Sequence, residues 1–156
     1  MTVEDNQSRE LAVAIAAARA ASDISRQYYR DNLDVILKED KTPVTRADVE
    51  CEEAIRSIIL GAFPDDGFYG EETGRSSADG SRLWLVDPID GTKAFIRQYP
   101  FFSTQIGMMQ DGNLVLGVSC GTMFDEMAWA ESGRGAWLNG SRLKVSDIQD
   151  PVRAAL

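Results

Sequence analysis

The stretch Trp84-Leu85-Val86-Asp87-Pro88-Ile89-Asp90-Gly91-Thr92 decides how the chain is read. Leu83 to Val86 is an apolar run with the length and composition of a buried strand. It ends in two carboxylates, Asp87 and Asp90, separated by Pro88 and Ile89. Pro88 fixes its own φ and restricts Asp87, while Gly91 admits a sharp change of direction. A rigid turn at the strand end therefore aims both carboxylates at one point. Two acids held together repel unless a proton or a cation lies between them. Carboxylates with a backbone carbonyl suit Mg²⁺, a hard ion that takes oxygen ligands. Thr92 to Phe95 opens a helical turn, whose N–H groups favour an anion such as phosphate. Taken alone, Asp-Pro-x-Asp-Gly is equally a plain turn, since all three residue types are turn formers.

Composition narrows the choice. The chain has 156 residues, 44% hydrophobic and 26% charged, as one globular domain requires. A net charge of −9 argues against a nucleic-acid-coating surface. There is no histidine, which excludes Ser-His-Asp triads, His-ligated zinc and His general bases. Cys51 and Cys120 lack any metal or redox spacing and are expected to stay reduced in a cytoplasm. Met1 to Asp5 has no basic start, and the alanine-rich Leu11 to Ala21 is too short to span a bilayer. The expectation is a cytoplasmic protein with no membrane partner.

In order, Ser8 to about Asn32 reads as a helix with Leu11, Ile15, Ala18, Ala21, Ile24 and Tyr28 on one face. Leu33 to Leu37 reads as an edge strand and Lys38 to Lys41 as a charged loop. A second helix is expected from Arg46 to Phe63, with Thr45 as N-cap, Asp48 in its first turn and Pro64 as its stop. Cys51, Ile55, Ile58, Ile59 and Ala62 form its buried stripe. Phe68 to Gly70 is a short strand delivering Glu71, and Ser76 to Ser81 a polar loop. After the central motif the period changes to two. Strands are expected at Phe102–Met109, Leu114–Cys120, Glu126–Ala130, Ala136–Leu138 and Arg142–Val145, joined by Asp111-Gly112 and Asn139-Gly140 turns. Helices first and an antiparallel meander after them imply an α+β layered sandwich, two N-terminal helices on a mainly antiparallel sheet. Trp84, Phe101, Phe102, Trp129 and Trp137 are expected in the core or on a sheet face.

Three segments carry a resemblance: Lys41-Thr42-Pro43-Val44-Thr45-Arg46-Ala47-Asp48, Gly70-Glu71-Glu72-Thr73-Gly74, and the central motif. In this order they resemble the inositol monophosphatase superfamily of Mg²⁺-dependent phosphomonoesterases. The likeness implies that Glu71, Asp87 and the Ile89 carbonyl hold a first Mg²⁺ and that Asp87 and Asp90 share a second, in a family that uses two or three ions. Gly91 and Thr92 would bind phosphate through backbone N–H groups. Glu71 and the Thr92 hydroxyl would orient a water activated by the metal for in-line attack. Asp48 matches a peripheral metal ligand of the family, beside its reading as a helix-start acid. Glu72 reads as a solvated or supporting acid. Lys93-Ala94-Phe95-Ile96, followed by Pro100 and Phe102, looks most like histidinol-phosphate phosphatases of histidine biosynthesis. Inositol phosphate and 3′-phosphoadenosine 5′-phosphate stay open.

The resemblance covers nearly all of residues 1–156 as a single domain, but only the N-terminal half of the family's fold. The Trp-Asp-x-Ala-Ala segment of the family's second half has no counterpart before Leu156. The chain is therefore expected to be either a truncated piece or a natural half-length protein. Two functions follow: a phosphatase acting on a small phosphate ester, as a homodimer at full length, or a non-catalytic metal-binding half-domain acting through a partner chain.

Overall fold

Helix α1, Arg9–Arg30, has no glycine or proline, and Ser8 starts it by accepting the Leu11 N–H on its Oγ at 3.0 Å. The computed structural model describes residues 7–30, 35–37, 43–76, 81–150 and 152. Leu11, Ala14, Ile15, Ala17, Ala18 and Ala21 are buried, while Ile24 and Tyr28 only lean on the core. The alanines let a second helix come close, so that the Cys51 thiol donates to the Ala21 carbonyl at 3.3 Å. That second helix, α2, is Arg46–Ala62. Its capping box is complete: the Thr45 hydroxyl takes the Asp48 N–H, and the Asp48 carboxylate takes the Thr45 N–H at 2.7 Å. Cys51, Ile55 and Ile59 are fully buried; each such aliphatic side chain stabilises the fold by about 2 kcal/mol.

Two short strands, β1 Val35–Leu37 and β2 Pro43–Thr45, pair antiparallel as a separate ribbon. The expected start of β1 at Leu33 and the loop Lys38 to Lys41 lie outside the described residues. The main sheet comprises β3 Gly67–Gly70, β4 Gly74–Ser76, β5 Arg82–Asp90, β6 Ser103–Gln110, β7 Asn113–Gly121, β8 Glu126–Glu131, β9 Gly135–Leu138 and β10 Ser141–Arg142. Its spatial order is β10-β9-β8-β7-β6-β5-β3-β4, and β3 pairs with β5 in parallel while the other pairs are antiparallel. The turns Asp111-Gly112 and Asn139-Gly140 have positive φ throughout, as two-residue hairpins require. A short helix α3, Thr92–Ile96, follows β5.

Alternation sorts the sheet into two faces. Trp84, Val86, Ile106, Met108, Leu116, Val118, Met127 and Trp129 are buried under the helices. Trp84 is further fixed by its indole N–H, which donates to Asp66 at 2.9 Å. The opposite face, with Leu85, Gly107, Leu114, Gly117 and Ala130, bounds an open apolar hollow of about 760 Å³.

Several expectations change. The first strand of the motif continues to Asp90 instead of ending at Val86, because pairing with β6 carries it past Pro88. Gly74–Ser76 is a strand, closing a hairpin on β3; the rest of the expected polar loop, residues 77–80, lies outside the described residues. The last strand shrinks to Ser141–Arg142, and Val145 is exposed. Phe101 is 72% exposed, with its ring 5.9 Å from another exposed ring, Phe124. Cys51 and Cys120 are both free and buried.

Candidate functional site

β5 reaches the site through an irregularity. Asp87 faces Gln105 and Asp90 faces Ser103, so β5 spends one more residue than β6 between them. Pro88 has no N–H for the ladder, and its carbonyl is held instead by the buried Thr104 hydroxyl at 2.9 Å. The bulge buries Ile89 and leaves Asp90 exposed at the strand end. Gly91 then turns with φ 99°, where a Cβ would lie 2.8 Å from the Phe101 carbonyl oxygen, so the position demands glycine. Its own carbonyl accepts the N–H groups of Ala94 and Phe95 at 2.8 and 3.0 Å, opening α3.

Parallel pairing brings the second acid in. Gly70 of β3 sits beside Val86 of β5, and the Glu71 N–H donates to the Val86 carbonyl at 3.1 Å. Glu71, just past the end of β3, is thereby brought beside Asp87 on β5, close enough for its carboxyl to act on that of Asp87. Burial raises the Asp87 pKa first, the Glu71 hydrogen bond and charge add to it, and the Asp90 charge adds again, to about 8. A hydrogen bond from the Ile89 backbone works the other way. Asp87 Oδ1 is nevertheless buried with no hydrogen-bond partner. Such an oxygen is costly unless a proton or cation meets it.

Thr92 and Asp48 also meet. The Thr92 hydroxyl lies 3.3 Å from Asp48 Oδ1 and 3.2 Å from the Ile89 carbonyl. Asp48 is buried, which raises its pKa against the lowering pull of its Thr45 and Thr92 partners. Its Oδ2 takes the Thr45 N–H and hydroxyl in the helix-start role, and its Oδ1 takes Thr92.

The structure thus joins Glu71 to Asp87, and Thr92 to both Asp48 and Ile89. It does not bring Asp90 into direct contact with the acid pair, and among the described residues no three acids converge into a ready cluster. Mutual repulsion of three carboxylates accounts for that spread. The donor set still fits a hard divalent cation: oxygen ligands only, with one buried carboxylate oxygen unpartnered.

Sequence reasoning missed Glu52. It lies on α2, fully buried, and accepts the Glu72 N–H at 2.7 Å and the Thr73 N–H at 2.9 Å. The available signal was spacing, since Glu52 falls four residues after Asp48 on the same side as Cys51 and Ile55.

Comparison with known proteins agrees with this arrangement. The model of the Inositol monophosphatase family matches residues 6–156. A histidinol-phosphatase of Chlorobaculum parvum is 40% identical over 142 residues, covering 90% of this chain and 55% of the relative. A fructose-1,6-bisphosphatase/inositol-1-monophosphatase of Aquifex aeolicus is 33% identical over 156 residues, covering 97% and 58%. The crystal structure of extragenic suppressor protein suhB from Bartonella henselae superposes with a TM-score of 0.86 at 34% identity, over 90% of this chain and 56% of that one. The chain spans little more than half the length of these relatives. With the motif order, the layered fold and the carboxylate pair all in agreement, the chain belongs to the inositol monophosphatase family.

Proposed function

We propose that this chain carries the cation- and phosphate-binding half of a Mg²⁺-dependent phosphomonoesterase. The observation that carries the reading is Asp87 Oδ1, buried without a donor, on a carboxyl whose pKa the neighbouring Glu71 helps to raise. Glu71, Asp87, the Ile89 carbonyl and Asp90 would hold the divalent cations. Bound there, Mg²⁺ would offset the carboxylate charge and act as a Lewis acid toward water and the phosphate ester. The chain's own groups supply the rest. Glu71, more exposed than Asp87, is the base that takes a proton from the attacking water. The Thr92 hydroxyl, held by Asp48 and the Ile89 carbonyl, orients that water through its lone pairs. Backbone N–H groups of Gly91 and Thr92, at the start of α3, receive the phosphate oxygens.

Histidinol phosphate is the favoured ester. The relative from Chlorobaculum parvum bears the name histidinol-phosphatase at 40% identity, and the Lys93-Ala94-Phe95-Ile96 context points the same way. Phosphate release should be measured with Mg²⁺ for histidinol phosphate, inositol 1-phosphate and 3′-phosphoadenosine 5′-phosphate, ranked by kcat/KM. The inositol ester at the top would overturn the substrate assignment.

A second reading has its own support, the open apolar hollow on the sheet face away from the helices. In it the chain binds the cation and works only with a partner chain across that face. Mg²⁺ binding without turnover of any ester would select this second reading.

A further inference from the structure

Three successive N–H groups fix the segment that carries Glu71. The Glu71 N–H bonds to the Val86 carbonyl on β5, one residue before Asp87. The Glu72 and Thr73 N–H groups both bond to the two oxygens of one carboxylate, Glu52. That carboxylate is fully buried, yet it neutralises no cation in its hydrogen bonds. Its partners are backbone amides of an outer turn. Burying a charge for such a purpose is costly, so the turn's position must gain what a neutral side chain would not give.

The room for it is specific. A Cβ on Gly70 would lie 2.2 Å from Glu52 Oε1 and 2.5 Å from Oε2. Gly70 has no positive φ to explain it, so this close approach is its reason for being glycine. Glu52 and Gly70 form a matched pair, the carboxylate filling the space that the missing side chain leaves. A carboxylate accepts from both amides at once. A glutamine in its place offers one acceptor and turns an NH₂ donor toward a second N–H.

We propose that Glu52 is a positioning residue for the cation site. By clamping the Glu72 and Thr73 amides it holds the Glu71 backbone against β5, so the Glu71 carboxylate meets Asp87 without a search. The proposal rests on the reading that Glu71 and Asp87 hold a divalent cation. Supporting groups of this kind tune metal affinity roughly 10–100-fold when removed.

The test is a Mn²⁺ and Mg²⁺ titration, by calorimetry on the metal alone, of wild type, Glu52→Gln, Glu71→Gln and the double variant. Amide NMR of the cation-free proteins accompanies it. Glu52→Gln should weaken cation binding roughly ten-fold, with the Glu72 and Thr73 amides shifted and exchanging faster while the α2 amides stay protected. In the Glu71→Gln background the same change should have little further effect, because there is no longer a carboxylate to position. A purely structural role would instead give the same loss in both backgrounds, and would overturn the proposal. So would wild-type affinity in Glu52→Gln when Glu71→Gln is weakened, which leaves the site reading standing. No cation binding by wild type removes the site reading itself and the proposal with it. Should Glu52→Gln fail to fold, Gly70→Ala decides: it pushes the carboxylate off the two amides, and the same loss is expected from it.

Discussion

The Thr92 hydroxyl lies within 3.3 Å of Asp48 Oδ1, tying the first turn of α2 to the first turn of α3. The same carboxylate closes the capping box of α2 through Thr45. One buried acid thus starts a helix and steadies a hydroxyl of the candidate site.

Asp48→Ala removes the carboxylate that accepts the Thr45 N–H. Loss of such a cap destabilises by about 1–2 kcal/mol, read as a Tm lower by roughly 2–8 °C. Burial raises the Asp48 pKa, so the folded wild type holds its proton more tightly than the unfolded chain. Its stability declines as pH rises past the unfolded value, and the gap to the alanine variant should narrow from acid to neutral pH.

Asp87 should make cation-free stability fall with pH. Its folded pKa of about 8 exceeds the ordinary 3.8, so the folded state keeps a proton that the unfolded chain releases. Stability is therefore highest below the unfolded value, is lost as pH rises toward the folded value, and levels off above it. Asp87→Asn should flatten that slope in thermal melts and also weaken Mg²⁺ binding at least ten-fold. Near neutral pH, cation uptake by wild type should release about one proton, seen by calorimetry in two buffers of different ionisation enthalpy. Equal slopes and equal affinity in the two proteins would show that Asp87 is misassigned.

Asp66→Ala should be among the most damaging substitutions outside the site. Asp66 is buried and accepts from both Trp84 Nε1 and Arg82 Nε at 2.9 Å. Its loss strands an indole N–H in the core and half-unpairs Arg82, which keeps Glu10. The expected cost is about 3 kcal/mol, measured as a shift in the urea midpoint at constant slope.

Gly91→Ala meets two obstacles, the positive φ and the Phe101 carbonyl at 2.8 Å. A stability loss of about 2 kcal/mol is expected. Inorganic phosphate should bind more weakly in the presence of Mg²⁺, because the turn that presents the α3 amides has moved. Unchanged phosphate affinity would remove Gly91 from the site.

Local rules were readable in the chain. Helix faces, the Thr45 cap, Pro64 and the Asp-Gly and Asn-Gly turns are dictated by residues near one another, and each lies where periodicity and turn chemistry put it. Glu71 and Asp87 were legible as acids of one site, yet Asp87 lies inside β5 and their closeness depends on parallel β3–β5 pairing. Glu52 and Asp66 were not legible as buried anchors. Their donors stand 16 to 21 residues further along, and the one local cue, the four-residue spacing of Glu52 from Asp48, does not reveal them. The passage of β5 through Pro88 was hidden for a similar reason, since it depends on the bulge against β6 and on the Thr104 hydroxyl that takes up the Pro88 carbonyl. Phe101 misleads by composition: its backbone carbonyl packs on Gly91 while its ring is left outside.

Asp48 and Thr92, the outermost members of the candidate site, stand 44 residues apart in the chain. The tie between Ser8 and Glu131, across the helix layer and the far part of the sheet, spans 123. Closing the shorter loop costs about 1 kcal/mol less conformational entropy than closing the longer one. The carboxylates are gathered through α2, β3 and β5 in succession, over separations of 16 to 44 residues, while the hairpins from β6 to β9 pair residues only 3 to 16 apart. In folding terms the meander is the more local part of the molecule, and the site assembles over longer separations. Refolding followed by pulsed hydrogen exchange should show the amides of β8 and β9 protected before those of Glu71 and Glu72.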